Sequence, residues 1–274
     1  MSSGLLSLEL SRSQFEEVSQ MLYRWCGIKL HEGKTDLVKS RLLKRLRDLG
    51  IDNFSSYLTF VKKDASGRER VAMIDVLTTN KTSFFREERH FDFMRERVIP
   101  SLRAQGRIRI WSAGCSTGAE PYTLAIVLCE EIPEIDRLDV RILATDISTR
   151  VLKAARDGVY DADELADVPR AVLHKRFDPL GGSPSETFRV KPNLRGLVHP
   201  ARLNLVEDWP MKGPLDAIFC RNVMIYFDKP TQETLVHRFW ELLKPGGYLF
   251  IGHSESVTAW ADEFRYIQPA VYQK

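Results

Sequence analysis

Through the first 80 positions apolar residues recur at steps of three and four, whereas from residue 107 onward short apolar runs alternate with longer helical patterns. The first regime predicts helices over Ser11 to Trp25, Thr35 to Leu49, Phe54 to Lys63 and Glu69 to Thr78, separated by Gly27, Gly33, Gly50 and Gly67. Within Thr35 to Leu49, the residues Val38, Leu42, Leu46 and Leu49 form one stripe to be buried, while Arg41, Lys44 and Arg45 share another face. All 13 prolines lie at Pro100 or later, which agrees with a helical first third. The expected organisation is a helical domain over residues 1–79 and a connecting segment over 80–106.

The second regime reads as a parallel sheet with crossover helices, an α/β domain over residues 107–274. Strands are expected at Arg107 to Ser112, Arg141 to Thr145, Leu215 to Cys220 and Tyr248 to Gly252, with a last one at Ala270 to Gln273. Pro121 to Glu131, Ser148 to Arg156 and Thr231 to Leu243 read as helices, and Leu243-Lys244-Pro245-Gly246-Gly247 as a turn. The stretch from Pro169 to Pro200 is rich in Pro and Gly, with strand-like pieces at Thr187 to Val190 and Leu194 to Val198, and is expected to form a small antiparallel β insertion.

The chain has 274 residues, 43% hydrophobic and 28% charged, an ordinary globular composition that needs no disulfide or metal staple. Cys26, Cys115, Cys129 and Cys220 stand apart with no C-x-x-C pair, so no metal site is expected. No apolar run approaches the roughly 18 residues that span a bilayer, and Met1 to Leu10 lacks the basic flank of a secretory signal. A cytoplasmic protein without direct membrane insertion is expected. Residues 1–80 hold 13 Lys+Arg against 10 Asp+Glu, whereas the remainder holds 27 of each, so the net charge of +3 belongs to the helical part. That basic helix is short and has few interleaved aromatics, which argues against nucleic acid as its partner.

Candidate chemistry gathers at strand ends, where open α/β sheets bind ligands. The first strand runs into Ser112-Ala113-Gly114-Cys115-Ser116-Thr117-Gly118-Ala119-Glu120-Pro121, a small-residue turn that lets a ligand approach backbone. The second ends in Asp146, a carboxylate placed to accept two ribose hydroxyls or, more simply, to cap the next helix. Its distance from Gly118 exceeds the usual spacing of about 20 residues in dinucleotide sites. Glu120 reads either as the far half of a capping box with Thr117 or as the partner of a cationic ligand group, which S-adenosylmethionine carries in its ammonium.

Four stretches carry a more specific likeness: Thr78 to Glu87 (TTNKTSFFRE), Ser112 to Tyr122, Phe219 to Phe227 (FCRNVMIYF) and Gly252 to Ser256 (GHSES). With them the chain resembles the CheR family of chemotaxis receptor methyltransferases along nearly its whole length. The resemblance implies an all-α N-terminal domain followed by a Rossmann-like S-adenosylmethionine-dependent methyltransferase domain with a small antiparallel β insertion at about 169–200. One departure is Ala119, where the family commonly has a second glutamate.

The implied activity is methyl transfer to glutamate side chains of chemotaxis receptors, giving γ-methyl esters and S-adenosylhomocysteine. Cofactor contacts are then expected from Asn80, Thr82, Arg86, Glu120, Asp146, Asn204, Leu205, Arg221 and Asn222. Arg86 and Tyr226 are the candidates for handling the acceptor carboxylate, with Phe84, Phe85 and Phe227 as packing residues. A glutamate with a reference pKa of about 4.3 is already an anion at neutral pH, so no general base is assigned and His253 is read as loop support. Lys39, Arg41, Lys44 and Arg45 are candidates for docking the acidic helical bundle of a receptor, and the β insertion for binding a receptor C-terminal tail peptide. A monomer recruited to membrane receptor arrays is expected. The alternatives are an adaptor that senses S-adenosylmethionine without useful turnover and a small-molecule methyltransferase.

Overall fold

The computed structural model describes residues 8–181, 186–257 and 263–274. Four helices come first: α1 (Arg12–Cys26), α2 (Thr35–Leu49), α3 (Phe54–Lys63) and α4 (Arg68–Leu77). Ser11 and Gln14 satisfy each other's backbone N–H as a capping box at the start of α1, and Gly27, at φ +70°, turns the chain out of it. The buried face of α2 is Val38, Leu42, Leu43 and Leu46, in one core with Val18, Leu22, Tyr57 and Met73. Leu49, assigned to that stripe by its period, lies in the last turn and is 37% exposed; Leu43 takes its place. A core-facing stripe about 100° wide accommodates both Leu42 and Leu43.

Residues 80–106 are largely helical as well, with α5 (Arg89–Phe93), a π-helical stretch (Met94–Val98) and α6 (Ile99–Arg103) running without a break. The second half then contains β1 (Arg107–Ala113), α7 (Ala119–Glu131), β2 (Asp139–Asp146), α8 (Thr149–Asp157) and β3 (Val159–Asp161). It continues through α9 (Arg170–Arg176), β4 (Phe177–Gly181), β5 (Thr187–Val190), α10 (Pro192–Arg195) and β6 (Val198–Arg202). Last come β7 (Leu215–Cys220), α11 (Lys229–Leu242), β8 (Leu243–Ile251), β9 (Arg265–Gln268) and β10 (Val271–Gln273).

Seven strands form one sheet in the order β6-β2-β1-β7-β8-β10-β9. The first five are parallel, and β10 and β9 add an antiparallel edge. Every residue of β7 is buried, as befits a central strand covered on both faces. Ile110, Ile142 and Phe219 pack with α7 on one face, and Trp111, Ile218 and Leu249 with α11 on the other. The strand order turns at β1, between β2 on one side and β7 on the other, and this places a crevice at their carboxyl ends. No helix among the described residues is long and apolar enough to cross a membrane.

The departures from the sequence expectation are local. Leu194 to Val198 is not a strand: Pro192, with its φ already fixed for a helical first turn, opens α10, Leu194 is buried, and Val198 begins β6 in the main sheet. The small antiparallel sheet, in the order β3-β5-β4, draws one strand from Val159–Asp161, ahead of the Pro-rich stretch. Its expected tip, Gly181 to Pro184, lies outside the described residues from Gly182 onward. Lys244 to Gly247 bulge out of β8, whose pairing with β7 jumps from Leu215–Leu243 to Ala217–Tyr248. The expected turn is thus nested inside a strand, with Lys244 held 2.5 Å from buried Asp216. Finally, β9 was not foreseen, its residues being only half-buried or exposed.

Candidate active site

A cavity of about 410 Å³ opens at the carboxyl ends of β1, β2 and β7. Its floor includes Gly114, Ser116, Asp146 and Asn222 from the strand ends, and one wall is Thr78 to Ser83 with Arg86. Residues 203–205, Val223 and residues 225–227 add to the lining, and the helical domain covers the cavity through Cys26, residues 28–31, Lys34 and Leu37. That cover is latched by backbone and side-chain bonds: Lys29 N–H donates to the Tyr226 carbonyl (2.9 Å), Asn204 Nδ2 to the Trp25 carbonyl (2.7 Å) and the Tyr23 hydroxyl to Asp228 (2.6 Å). Gly27 sits at the joint, where a Cβ would lie 2.8 Å from Val206.

The loop after β1 folds against the end of β2. Gly114 and Cys115 donate N–H bonds to the Thr145 carbonyl (2.7 and 2.8 Å), and Ser116, at φ +51°, aims its N–H at Asp146 Oδ2 (2.9 Å). Gly114 cannot carry a side chain, because a Cβ there would stand 2.3 Å from Val223. Asp146 Oδ1 accepts the Ser148 N–H (2.9 Å), so the carboxylate steadies the turn into α8 and still keeps lone pairs toward the cavity. Burial raises its pKa, and the backbone N–H groups of Ser148 and Ser116 oppose that rise. Asn80 is fixed from the other wall by its carbonyl, which accepts from Ser116 Oγ (2.8 Å), and Thr82 lines the cavity beside it.

Glu120 makes no capping box; α7 is capped by Gly118 with no side-chain bond. Instead Glu120 accepts from Ser112 Oγ (2.6 Å) and from Arg221 Nη1 (3.0 Å). Arg221, buried at the end of β7, also gives Nε and Nη2 to Glu87 (3.3 and 3.1 Å) and Nη2 to the Arg86 carbonyl. One guanidinium therefore joins two carboxylates. Burial opposes ionisation of Glu87, but Arg221 and the His253 N–H outweigh it and hold this carboxyl below its ordinary range. At Glu120 burial prevails over Arg221 and Ser112, and the pKa is raised. Arg86 pairs with neither: its guanidinium donates to the Lys81 carbonyl (3.1 Å) and faces the cavity with the Tyr226 ring. The Tyr226 hydroxyl has no hydrogen-bond partner among the described residues, and burial raises its pKa against the pull of Arg86 and Arg41.

Comparison with known proteins identifies the architecture. Residues 13–78 match the family model described as CheR methyltransferase, all-alpha domain, and residues 80–272 the one described as CheR methyltransferase, SAM binding domain. The chain belongs to the CheR methyltransferase family. It is 45% identical to chemotaxis protein methyltransferase 2 of Pseudomonas aeruginosa over 98% of this chain and 95% of that one. It is 39% identical to the chemotaxis protein methyltransferase of Borreliella burgdorferi over 98% and 96%, and 41% identical to that of Escherichia coli over 92% and 87%. Solved structures align more loosely: PKMT2 from Rickettsia typhi matches over 63% of this chain and 26% of that one at 16% identity and a TM-score of 0.39, too slight a likeness to carry weight.

The donor set of the cavity fits the S-adenosylmethionine that CheR enzymes use. Asp146 offers acceptor capacity for hydroxyl groups, Leu205 and Ile147 offer apolar surface, and Glu120, bridged to Arg221, offers a carboxylate to a cationic ligand group. Asn204 has less to give than its sequence position implies, since its Nδ2 donates to the Trp25 carbonyl (2.7 Å) and its Oδ1 accepts from the Val206 N–H (3.4 Å), leaving one amide N–H and one lone pair. His253 is exposed, and its N–H supports Glu87 (3.3 Å).

Sequence reasoning missed three groups of this CheR site. Glu87 carries no cofactor or acceptor role in the sequence reading, yet it reaches across to Arg221 (3.1 Å). Glu255 was quoted within Gly252 to Ser256 without a role, yet its carboxylate accepts three backbone N–H groups. The cover from the α1–α2 connection was read only as part of a helical domain, with Gly27 its one sequence signal. On α2, the four basic residues do not form one free face. Arg45 is bidentate to Glu69 (3.0 and 2.6 Å), and Arg41 donates to the Leu77 and Thr78 carbonyls (2.8 and 3.0 Å) at the end of α4. Lys39 pairs with Glu9 (2.6 Å), and Lys44 is exposed.

Proposed function

We propose that this protein transfers a methyl group from S-adenosylmethionine to glutamate side chains of chemotaxis receptors, yielding γ-methyl esters and S-adenosylhomocysteine. The observation that carries this reading is that Asp146, Glu120, Arg86 and Tyr226 all line one cavity. S-adenosylmethionine, when bound, supplies a methyl group made electrophilic by its sulfonium sulfur. Asp146 would accept its ribose hydroxyls, Leu205 and Asn204 would meet the adenine, and Glu120 with its Arg221 bridge would face the cationic amino-acid end. Asn80 and Thr82 from the wall and Asn222 from the floor complete the contacts.

Arg86 and Tyr226 then serve the acceptor. Arg86 steers the incoming carboxylate, and the Tyr226 hydroxyl, without a partner among the described residues, donates to one oxygen while the other stays free to attack. Positioning supplies most of the acceleration, because the nucleophile is already ionised. The segment over Cys26 to Lys34 excludes water, which favours a reaction in which an anion and a cation lose their charges. In this reading residues 1–79 form the helical domain, 80–106 the connection and 107–274 the catalytic domain. The exposed residues of α2 face the acidic helical bundle of the receptor, and an edge of the β3-β5-β4 sheet is where a receptor tail peptide would add a strand.

Incubating the protein with receptor cytoplasmic fragments and methyl-labelled S-adenosylmethionine should give base-labile label, mapped by mass spectrometry to glutamates. Asp146→Ala should weaken S-adenosylhomocysteine binding by about 1.5–3 kcal/mol in calorimetry. Label that resists base, or that appears on small molecules and not on receptor, would overturn the assignment.

A further inference from the structure

Resting on the reading just given, we infer that Glu255 is a positioning residue for methyl transfer: it holds Asn222 and the turn that carries Tyr226 in place without touching either substrate. Glu255 itself does not line the cavity, but two of the residues it bonds, Asn222 and Ile225, do. Its Oε2 accepts the N–H of Asn222 (2.8 Å) and of Gly252 (2.6 Å), and its Oε1 accepts the N–H of Ile225 (3.1 Å).

Those donors need an outside acceptor. After β7 the chain turns sharply, with Asn222 at φ +58°, and makes one 3₁₀ turn over Met224–Tyr226. Within that turn the Tyr226 and Phe227 N–H groups find the carbonyls of Val223 (3.2 Å) and Met224 (3.0 Å). The N–H groups of Asn222 and Ile225 find none and point at Glu255. A left-handed asparagine costs energy that local geometry does not return, so the conformation persists only where the surroundings fix it. The strand end is shaped to allow this. A Cβ on Gly252 would fall 2.4 Å from Asn222 Nδ2 and 2.9 Å from Glu255 Oε2, so glycine is required for the three groups to meet. The carboxylate thus ties the end of β8 to the loop after β7, and the two residues it fixes most directly flank the cavity from one short turn.

The chemistry selects glutamate. A glutamine would keep one accepting oxygen and turn an NH₂ group toward a backbone N–H, donor against donor; alanine would leave all three N–H groups without a partner. The defect should therefore be graded.

The test measures receptor methylation and S-adenosylhomocysteine affinity for wild type, Glu255→Gln, Glu255→Ala, Tyr226→Phe and the Glu255→Ala/Tyr226→Phe double variant, with thermal unfolding recorded for each. Expected are a fall in kcat of about 30-fold for alanine and about 5-fold for glutamine, a cofactor affinity weakened about 3-fold through Asn222, and a double variant well short of the product of its single effects. A residue that merely supports the fold would lower Tm and multiply with Tyr226→Phe. Wild-type kcat in folded Glu255→Ala, or strictly multiplicative effects, overturns the inference. Should the alanine variant not fold, the glutamine variant and its own double with Tyr226→Phe decide by the same criterion. Absence of receptor methylation by wild type would instead reject the proposed function, and the calorimetric effect on S-adenosylhomocysteine would still judge the link from Glu255 to Asn222.

Discussion

Arg221 and Arg45 are both arginines that hold carboxylates, yet one is buried at the cavity and the other is half-buried on a surface helix. Arg221 sits at the end of a central parallel strand, its side chain 3% exposed, and binds Glu87 and Glu120 together. Arg45 lies on α2, its side chain 18% exposed, and binds Glu69 of α4 together with Asp48 one turn along its own helix (3.3 Å), away from the cavity. The first is a device of the site, the second a brace of the scaffold. Chain position separates them: a charge at a strand terminus next to the topological switch is placed where ligands bind, whereas a charge on an amphipathic helix is free or paired according to what a neighbouring helix offers.

The largest effect should come from Arg221→Ala. It removes the shared cation from two carboxylates whose side chains are 13% and 12% exposed, and uncompensated buried charge costs about 3–5 kcal/mol. Urea denaturation should show that loss, and methylation should fall to background even in the folded fraction. A loss under about 1 kcal/mol would mean that Glu87 and Glu120 are solvated or protonated without Arg221, and the comparison would break.

Arg45→Ala should cost somewhat less, about 2–4 kcal/mol, because Tyr57 still donates to Glu69 (2.8 Å) and water reaches the guanidinium. Here activity per folded molecule should be unchanged. Normal stability with impaired receptor kinetics would return Arg45 to the docking surface.

Much of this contrast was legible in the chain. Asp146 and Glu120 were found because the alternation of strands and helices fixes where strands end, and a strand end needs no knowledge of distant partners. The other members of the site act over separations that periodicity does not encode: Glu87 bonds Arg221, and Glu255 bonds Asn222, each across a different pair of elements. Inversion of the readings for Glu120 has the same origin. Thr117-x-x-Glu120 has the spacing of a capping box, but Ser112 and Arg221 lie closer to its carboxylate than the helix start does to it. Likewise the α2 cations looked alike by period, and only the approach of α4 distinguishes Arg41 and Arg45 from Lys44.

A third, smaller effect concerns the neighbourhood of Arg221. His90 is fully buried, with neither ring nitrogen hydrogen-bonded among the described residues, beside Glu87 (3.6 Å), Arg221 and His253. Burial, then Arg221, push its pKa down to about 3. The unfolded chain therefore binds a proton near pH 6.5 that the folded protein refuses, so stability drops as pH falls from about 6.5 toward 3, by about 2 kcal/mol at pH 5. Asp146, Glu120 and Glu255, with raised pKa values, act in the opposite sense on acidification. The measurement is accordingly a difference: His90→Leu should lose less stability than wild type between pH 7 and pH 5. Parallel pH curves for the two would show that His90 is protonated in the folded protein.

The smallest effect should be at Lys44, and it separates brace from docking surface on the same helix. Lys44 is exposed on α2, while Arg41 and Arg45 on that helix are turned to α4 and Lys39 to Glu9. If acidic receptor helices approach this face, a rim charge acts on encounter over a Debye length of about 8 Å at physiological ionic strength and contributes well under 1 kcal/mol. Lys44→Glu should slow methylation about 2- to 4-fold at limiting receptor in low salt, with the difference vanishing in about 0.5 M salt, because only the steering part is screened. Tm and S-adenosylhomocysteine affinity should stay at wild-type values, in contrast to Arg45→Ala, whose defect is in stability and persists at any salt. Unchanged receptor kinetics in Lys44→Glu at low salt would remove α2 from the docking surface and leave its basic character to the braces that Arg41 and Arg45 form with α4.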